Sequence, residues 1–253
     1  MKKIFMFPAL FALGACCDCA NAIKNDPVLM GEVVAAVKQD LVKNPQVLKQ
    51  MVNSLQEQQA QKSTETIQEY MRDNMDELTE NAPIWGDKNA TNTIVIWTDH
   101  SCPYCRRTYN ELARVMKKRD DVRIVLKNLS IHGDLSDAPA KAVIAAKLQS
   151  NDKAVDLNTK LMENEYFDQK DMKNTATVGA KIHKKVMAFA KEVGLDTAKL
   201  ERDMDGKVVK KEVKNVRDLA QKFEIAGTPF LIINGKAFPG ALPYDKIMEA
   251  LDE

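Results

Sequence analysis

The chain has 253 residues, 45% of them apolar, which is enough to bury one good core with an accessory region beside it. Its 37 basic and 36 acidic residues nearly cancel, and a formal charge of +1 argues against a nucleic-acid or membrane-surface footprint.

Residues 1–22 read as a signal peptide. Lys2-Lys3 gives a charged start, residues 4–15 form a short apolar run, and Ala20-Asn21-Ala22 resembles a small-residue cleavage site. An apolar run this short does not span a bilayer. Cleavage after Ala22 would remove Cys16, Cys17 and Cys19 and leave Cys102 and Cys105 as the only cysteines. An exported chain with one such pair has no disulfide scaffold, and an oxidising compartment drives the pair toward the disulfide unless something reduces it. A competing pattern, Leu13-Gly14-Ala15-Cys16, looks like a lipoprotein box, in which a lipidated Cys16 becomes the first residue.

Residues 23–81 read as a helical stalk or oligomerisation region. A first helix fits residues 27–42, with Leu29, Val33, Val37 and Leu41 along one face. Asn44-Pro45 reads as a cap and a first-turn proline opening a second helix, with Val47, Leu48, Met51, Val52 and Leu55 on its apolar side. Residues 56–66 are polar all round, either an exposed helical stem or a flexible linker. Apolar positions return at Ile67, Tyr70, Met71, Met75 and Leu78. Such a stripe serves either self-association or packing back onto the rest of the chain. Residues 82–91 read as a linker, its lone Trp85 a packing residue between turn formers.

From residue 92 to 253 the pattern is that of one α/β domain. Thr93 to Thr98 forms a near-continuous apolar strand, a helix fits residues 106–119, and a second β-rich run covers 122–126. A right-handed crossover makes the two strands parallel neighbours. Residues 136–223 form a helical insertion with apolar stripes such as Val178, Ile182, Val186 and Phe189, or Val209, Val213, Val216 and Ala220. Strands return at 230–233 and 236–238 around Asn234-Gly235, a strong hairpin signal, and a helix over 243–251 closes the chain.

The chemistry sits at Ser101-Cys102-Pro103-Tyr104-Cys105, where the first strand gives way to a helix. Two cysteines three apart at a helix start can close a small disulfide, and the first thiol lies among unpaired N–H groups at the positive end of the dipole. Cys102 is therefore the expected nucleophile and Cys105, one turn deeper, the resolving thiol. Pro103 suits the first turn because its missing N–H would have had no partner. The competing reading is half of a zinc site, which needs four ligands; His100, His132 and His183 are not spaced as ligand pairs. His100 either tunes the thiolate or is an ordinary loop residue. Just before the hairpin lies Ala226-Gly227-Thr228-Pro229-Phe230. Either a cis bond at Thr228-Pro229 turns the chain sharply and leaves Thr228 backbone groups to hold a substrate strand, or a simple trans-proline turn fills the place.

Taken in order, Cys102-Pro103-Tyr104-Cys105 after a strand, a helical insertion, and Gly227-Thr228-Pro229 before an Asn-Gly hairpin resemble the DsbA-like thioredoxin-fold family. Residues 40–48, Asp-Leu-Val-Lys-Asn-Pro-Gln-Val-Leu, look like the N-terminal extension of its Com1 and ScsC branches. The resemblance implies an α/β thioredoxin fold with a helical insertion, preceded by an all-helical extension. It also implies a periplasmic thiol–disulfide oxidoreductase, oxidase or isomerase, with Pro229 cis beside the disulfide and Pro103, Tyr104, Thr228 and Pro229 contacting substrate. Its partners would be exported client proteins, a membrane redox partner of DsbB or DsbD type, and further copies in a dimer or trimer, with no cofactor, resident metal or nucleic acid. Two departures stand out. Ile96 replaces the buried glutamate that many relatives carry six residues before the first cysteine, and the proline common in relatives near Ser130 is absent. A reading from another class is a Cu(I)-binding envelope protein that uses the same two thiolates.

Overall fold

The computed structural model describes residues 26–167 and 175–253. The proposed signal peptide and Cys16 lie outside the described residues, as does part of the helical insertion. The chain divides into two compact units, residues 1–59 and 60–253.

The described part of the first unit holds α1 (Pro27–Lys43) and the start of α2 (Pro45–Thr79). The break between them falls at Asn44, whose side-chain amide donates to Asp40 Oδ1 at 3.0 Å. Among the described residues of the apolar stripe, Val33, Val37, Leu48, Met51, Val52 and Leu55 are exposed. The polar stretch 56–66 is helical, the first of its two sequence readings, and α2 continues with one non-helical residue at Asn74.

The second unit is built on a five-stranded sheet in the order β1-β3-β2-β4-β5. Its strands are β1 (Ile84–Trp85), β2 (Asn92–Thr98), β3 (Val122–Asn128), β4 (Phe230–Ile233) and β5 (Lys236–Pro239). Strands β2 and β3 are parallel in the register Ile94↔Ile124, joined by α3 (Pro103–Met116), as the crossover pattern requires. Strand β4 runs antiparallel to β2 and forms the expected hairpin with β5. Asn234 (φ 47°) and Gly235 (φ 86°) both take the left-handed turn conformation that this two-residue loop needs.

Two expectations need correction. The stretch read as a linker, residues 82–91, contains β1, which pairs antiparallel with β3 as Ile84↔Val125 and Trp85↔Ile124. Trp85 there stacks on Tyr109 with ring centroids 5.1 Å apart. The apolar residues at the end of the stalk pack back against the sheet rather than serving a stalk: Ile67, Tyr70, Met71 and Leu78 of α2 are buried in one core with Trp97, Phe223 and Phe230. A stripe that short could not be assigned to a partner from periodicity alone.

The sheet is covered on both faces. On one, α3 and α9 (Tyr244–Asp252) set Leu112, Val115, Ile247 and Leu251 against Ile94, Ile96 and Leu126. On the other, the end of α2 and α8 (Lys207–Lys222) cover Val95, Trp97 and Val125, and Trp97 Nε1 donates to the Val216 carbonyl at 3.2 Å. Between β3 and β4 the helices α4 (Asp137–Lys147), α5 (Asn151–Glu163), α6 (Thr175–Glu192) and α7 (Thr197–Met204) pack with α8 around a core of their own that includes Ile144, Leu157, Ile182 and Leu200.

Candidate active site

Strand β2 delivers the chain to the start of α3 through a three-residue loop, and Cys102 occupies the N-cap with extended backbone (φ −79°, ψ 119°) and Pro103 next to it. The Cys102 N–H donates to the Asp99 carbonyl at 3.1 Å, and the Cys102 carbonyl takes the first helical bond from Arg106 at 3.2 Å. Its sulfur makes no short cap hydrogen bond, but the N–H groups of Tyr104 and Cys105 are turned toward it. The Cys105 thiol, facing the same sulfur, is the largest cause of an acidity that brings Cys102 down to about 5; burial opposes it. Cys105, fully buried, is pushed the other way by Cys102 and by desolvation. The two thiols are unbonded and oppositely tuned.

The second half of the site comes from the far end of the domain. The Thr228-Pro229 bond is cis, and the Cys102 thiol points at the Thr228 carbonyl oxygen 3.5 Å away. The Pro229 carbonyl accepts from Gly240 N–H at 2.9 Å, which ties this loop to β5. Pro103 and Tyr104 stand exposed at the rim, Tyr104 beneath the Arg107 guanidinium. Cys102, Cys105, Thr228 and Pro229 thus meet at one place, with Pro103 and Tyr104 beside them.

The groups around the loop were not all legible beforehand. Asp99 is 1% exposed and heavily bonded: Oδ1 accepts from Ser101 N–H at 2.8 Å and Ser101 Oγ at 2.7 Å, and Oδ2 from Ile131 N–H at 2.9 Å. His132 Nδ1 lies 3.0 Å from the same Oδ2. Burial works to raise the carboxyl's pKa, but the donors from Ile131 and Ser101 prevail and hold it below the usual range. The sequence signal was an Asp two residues before a Ser, the pattern of an Asx turn. His100 is buried and bonded to Asn158 Oδ1 at 2.9 Å; burial brings it to about 4, so it is uncharged at neutral pH. Ile96 sits in the apolar core, and the position carries no proton acceptor.

A cleft of roughly 1020 Å³ opens beside Cys102, lined by Ser101, Pro103, Arg106, His132, Met162 and Phe167 among others. Arg106 is a fixed wall: its guanidinium donates to the Met162 and Asn164 carbonyls at 2.9 Å each and covers the Tyr166 ring. Among the described residues, no three His, Cys, Asp or Glu side chains are grouped to hold a metal ion.

The family model described as Thioredoxin matches residues 77–253. Disulfide bond formation protein D of Bacillus subtilis (strain 168) is 24% identical over 175 residues, 68% of this chain and 76% of that protein. A thioredoxin-like oxidoreductase from Silicibacter pomeroyi DSS-3 superposes with a TM-score of 0.61 at 31% identity, covering 71% of this chain and 96% of that one. ScsC of Proteus mirabilis in a transitional conformation shares the fold over 90% of this chain and 97% of its own, with a TM-score of 0.59 at 24% identity. With these matches and a pair of tuned thiols at a helix start, the chain belongs to the thioredoxin family, as a DsbA-like thioredoxin-fold oxidoreductase.

Proposed function

We propose that this protein is an exported, periplasmic thiol–disulfide oxidoreductase that introduces or rearranges disulfides in other exported proteins through Cys102 and Cys105. One observation carries the reading: the Cys102 sulfur stands at a helix start, its acidity raised by the Cys105 thiol and by the backbone N–H groups turned toward it, beside an exposed rim and a carbonyl from the cis-proline loop. In the oxidising direction, a substrate thiolate attacks the Cys102–Cys105 disulfide at Cys102, and a second substrate thiolate then attacks the substrate sulfur of the mixed disulfide. In the rearranging direction, the Cys102 thiolate attacks a wrong substrate disulfide and leaves when the pairing is corrected. Pro103, Tyr104, Thr228 and Pro229 contact the substrate chain in either case.

A membrane partner of DsbB or DsbD type resets the pair. The uncovered apolar stripe of α1 and α2 joins copies of the chain to one another, since eleven large apolar side chains exposed between Val28 and Leu55 otherwise face water. Residues 1–22 act as the signal for export.

Refolding of a scrambled disulfide substrate by purified protein, compared with Cys102→Ser, tests the reading. Catalysis lost in the variant supports it. Tight Cu(I) binding with no exchange activity would overturn it in favour of a metal carrier.

A further inference from the structure

Cys105 is fully buried, and apart from its partner Cys102 the side chains facing its sulfur are Thr98 and Thr228, neither of them an acid or a base. Thr98 ends β2. Residues two apart on a strand share a face, so Thr98 follows Ile96 on the side covered by α3. It is 1% exposed, and its Oγ1 is buried without a hydrogen bond among the described residues. A buried hydroxyl in that condition costs free energy unless some state of the protein uses it. Thr228 Oγ1 is in the same condition and turned to the same sulfur. The Asp99 N–H points there too, 3.5 Å from Cys105 Sγ.

Three neutral donors aimed at one sulfur are weak partners for a thiol and strong partners for a thiolate, because a hydrogen bond to an ionised acceptor is the stronger kind. Cys105 becomes a thiolate at one moment of the exchange reaction. When a substrate thiolate attacks, a bond forms between its sulfur and Cys102 Sγ, the Cys102–Cys105 bond breaks, and the electron pair leaves on Cys105. The substrate's proton has already gone to water.

We propose that Thr98 is a catalytic residue of this exchange: its hydroxyl donates to the departing Cys105 thiolate and stabilises it as the leaving group. The donor acts more strongly in the transition state than in the disulfide, which is the condition for accelerating the step. The inference rests on the exchange reaction proposed above and adds a residue to it.

Rapid-mixing kinetics can separate the two half-reactions. Oxidised protein is mixed with dithiothreitol, where Cys105 must leave; reduced protein is mixed with a small aromatic disulfide, where the reagent's own thiolate leaves. Thr98→Val and Thr98→Ala both remove the hydroxyl, and Thr98→Ser keeps it; melting curves report whether each variant folds. The expected result is opening by dithiothreitol slowed about tenfold in the Val and Ala variants, the loss of one charge-assisted hydrogen bond. The Ser variant stays near the wild-type rate, and the first attack of reduced Cys102 is unchanged in all. Wild-type opening rates in the Val and Ala variants would overturn the assignment, as would a Ser variant as slow as Val, or an equal slowing of both half-reactions. A wild-type protein with no exchange at all would overturn the proposed function as well, so the two failures are distinguishable.

Discussion

The Cys102 sulfur lies 3.5 Å from the Thr228 carbonyl oxygen, although the two residues are 126 apart in the chain. In the proposed exchange reaction, a substrate strand pairing with the Thr228 backbone would arrive with its sulfur beside Cys102, and proximity of this kind replaces a bimolecular search. The two cysteines then differ in what their loss does. Cys102→Ser should drop exchange activity to below about one hundredth of wild type, because the attacking thiolate is gone. Cys105→Ser should instead accumulate mixed disulfides with client proteins, visible as adducts on non-reducing gels, since the resolving thiol is missing.

Stability should depend on pH in a way that reports the state of Cys102. Its pKa falls from 9.0 to about 5 on folding, so the folded chain holds a thiolate where the unfolded chain still holds a proton. Unfolded chain binds more protons between those values, and stability from this source accrues as pH rises from about 5 to 9 and is lost as pH falls through about 5. The disulfide form has no such group. Denaturant melts of the reduced and oxidised proteins across this range should show the added slope in the reduced form alone.

His100 gives a second slope, common to both redox forms. Burial takes it from 6.5 to about 4, so protonation favours the unfolded chain and stability is lost as pH falls from 6.5 toward 4. His100→Gln should remove that loss, measured by the same melts on the oxidised protein.

Beneath the opposite face of the sheet, Lys127 Nζ and Glu212 Oε1 form an ion pair at 2.9 Å with both side chains buried. Burial lowers the lysine and raises the glutamic acid, each opposed by its partner. Removing one partner leaves an uncompensated buried charge. Lys127→Met or Glu212→Gln alone should cost about 3–5 kcal/mol in denaturant melts, and the double apolar replacement Lys127→Met with Glu212→Leu should recover most of it.

The exposed stripe of α2 makes a prediction about assembly. Leu48→Glu with Met51→Glu puts charge where 52% and 55% exposed apolar side chains now stand. Sedimentation or light scattering should show the wild type as an oligomer and this variant as a monomer, with dithiothreitol opening of the disulfide unchanged.

What could be read from the sequence was local. The spacing of Cys102 and Cys105, the proline after the first cysteine, and the turn at Asn234-Gly235 are each decided within a few residues, and each stands where its spacing placed it. Strand β1 escaped because two residues between Pro83 and Gly86 show no periodicity. The Lys127–Glu212 pair joins residues 85 apart, and no local pattern marks either as buried. Residues 67–78 carried a clear apolar stripe whose partner, the Trp97 face of the sheet, is defined only by tertiary packing. The hydrogen bonds of Asp99 to Ile131 and of His100 to Asn158 are likewise products of the crossover topology, not of sequence neighbours.

Everything chemical here depends on one of two adjacent sulfurs being ionised while the other is not. Alkylation of the reduced protein by iodoacetamide from pH 3 to 10, with each cysteine followed by peptide mass spectrometry, measures this directly. Modification of Cys102 should rise with a midpoint near 5 while Cys105 stays unmodified through pH 9. A Cys102 midpoint near 9, or equal labelling of both cysteines at pH 6, would contradict it.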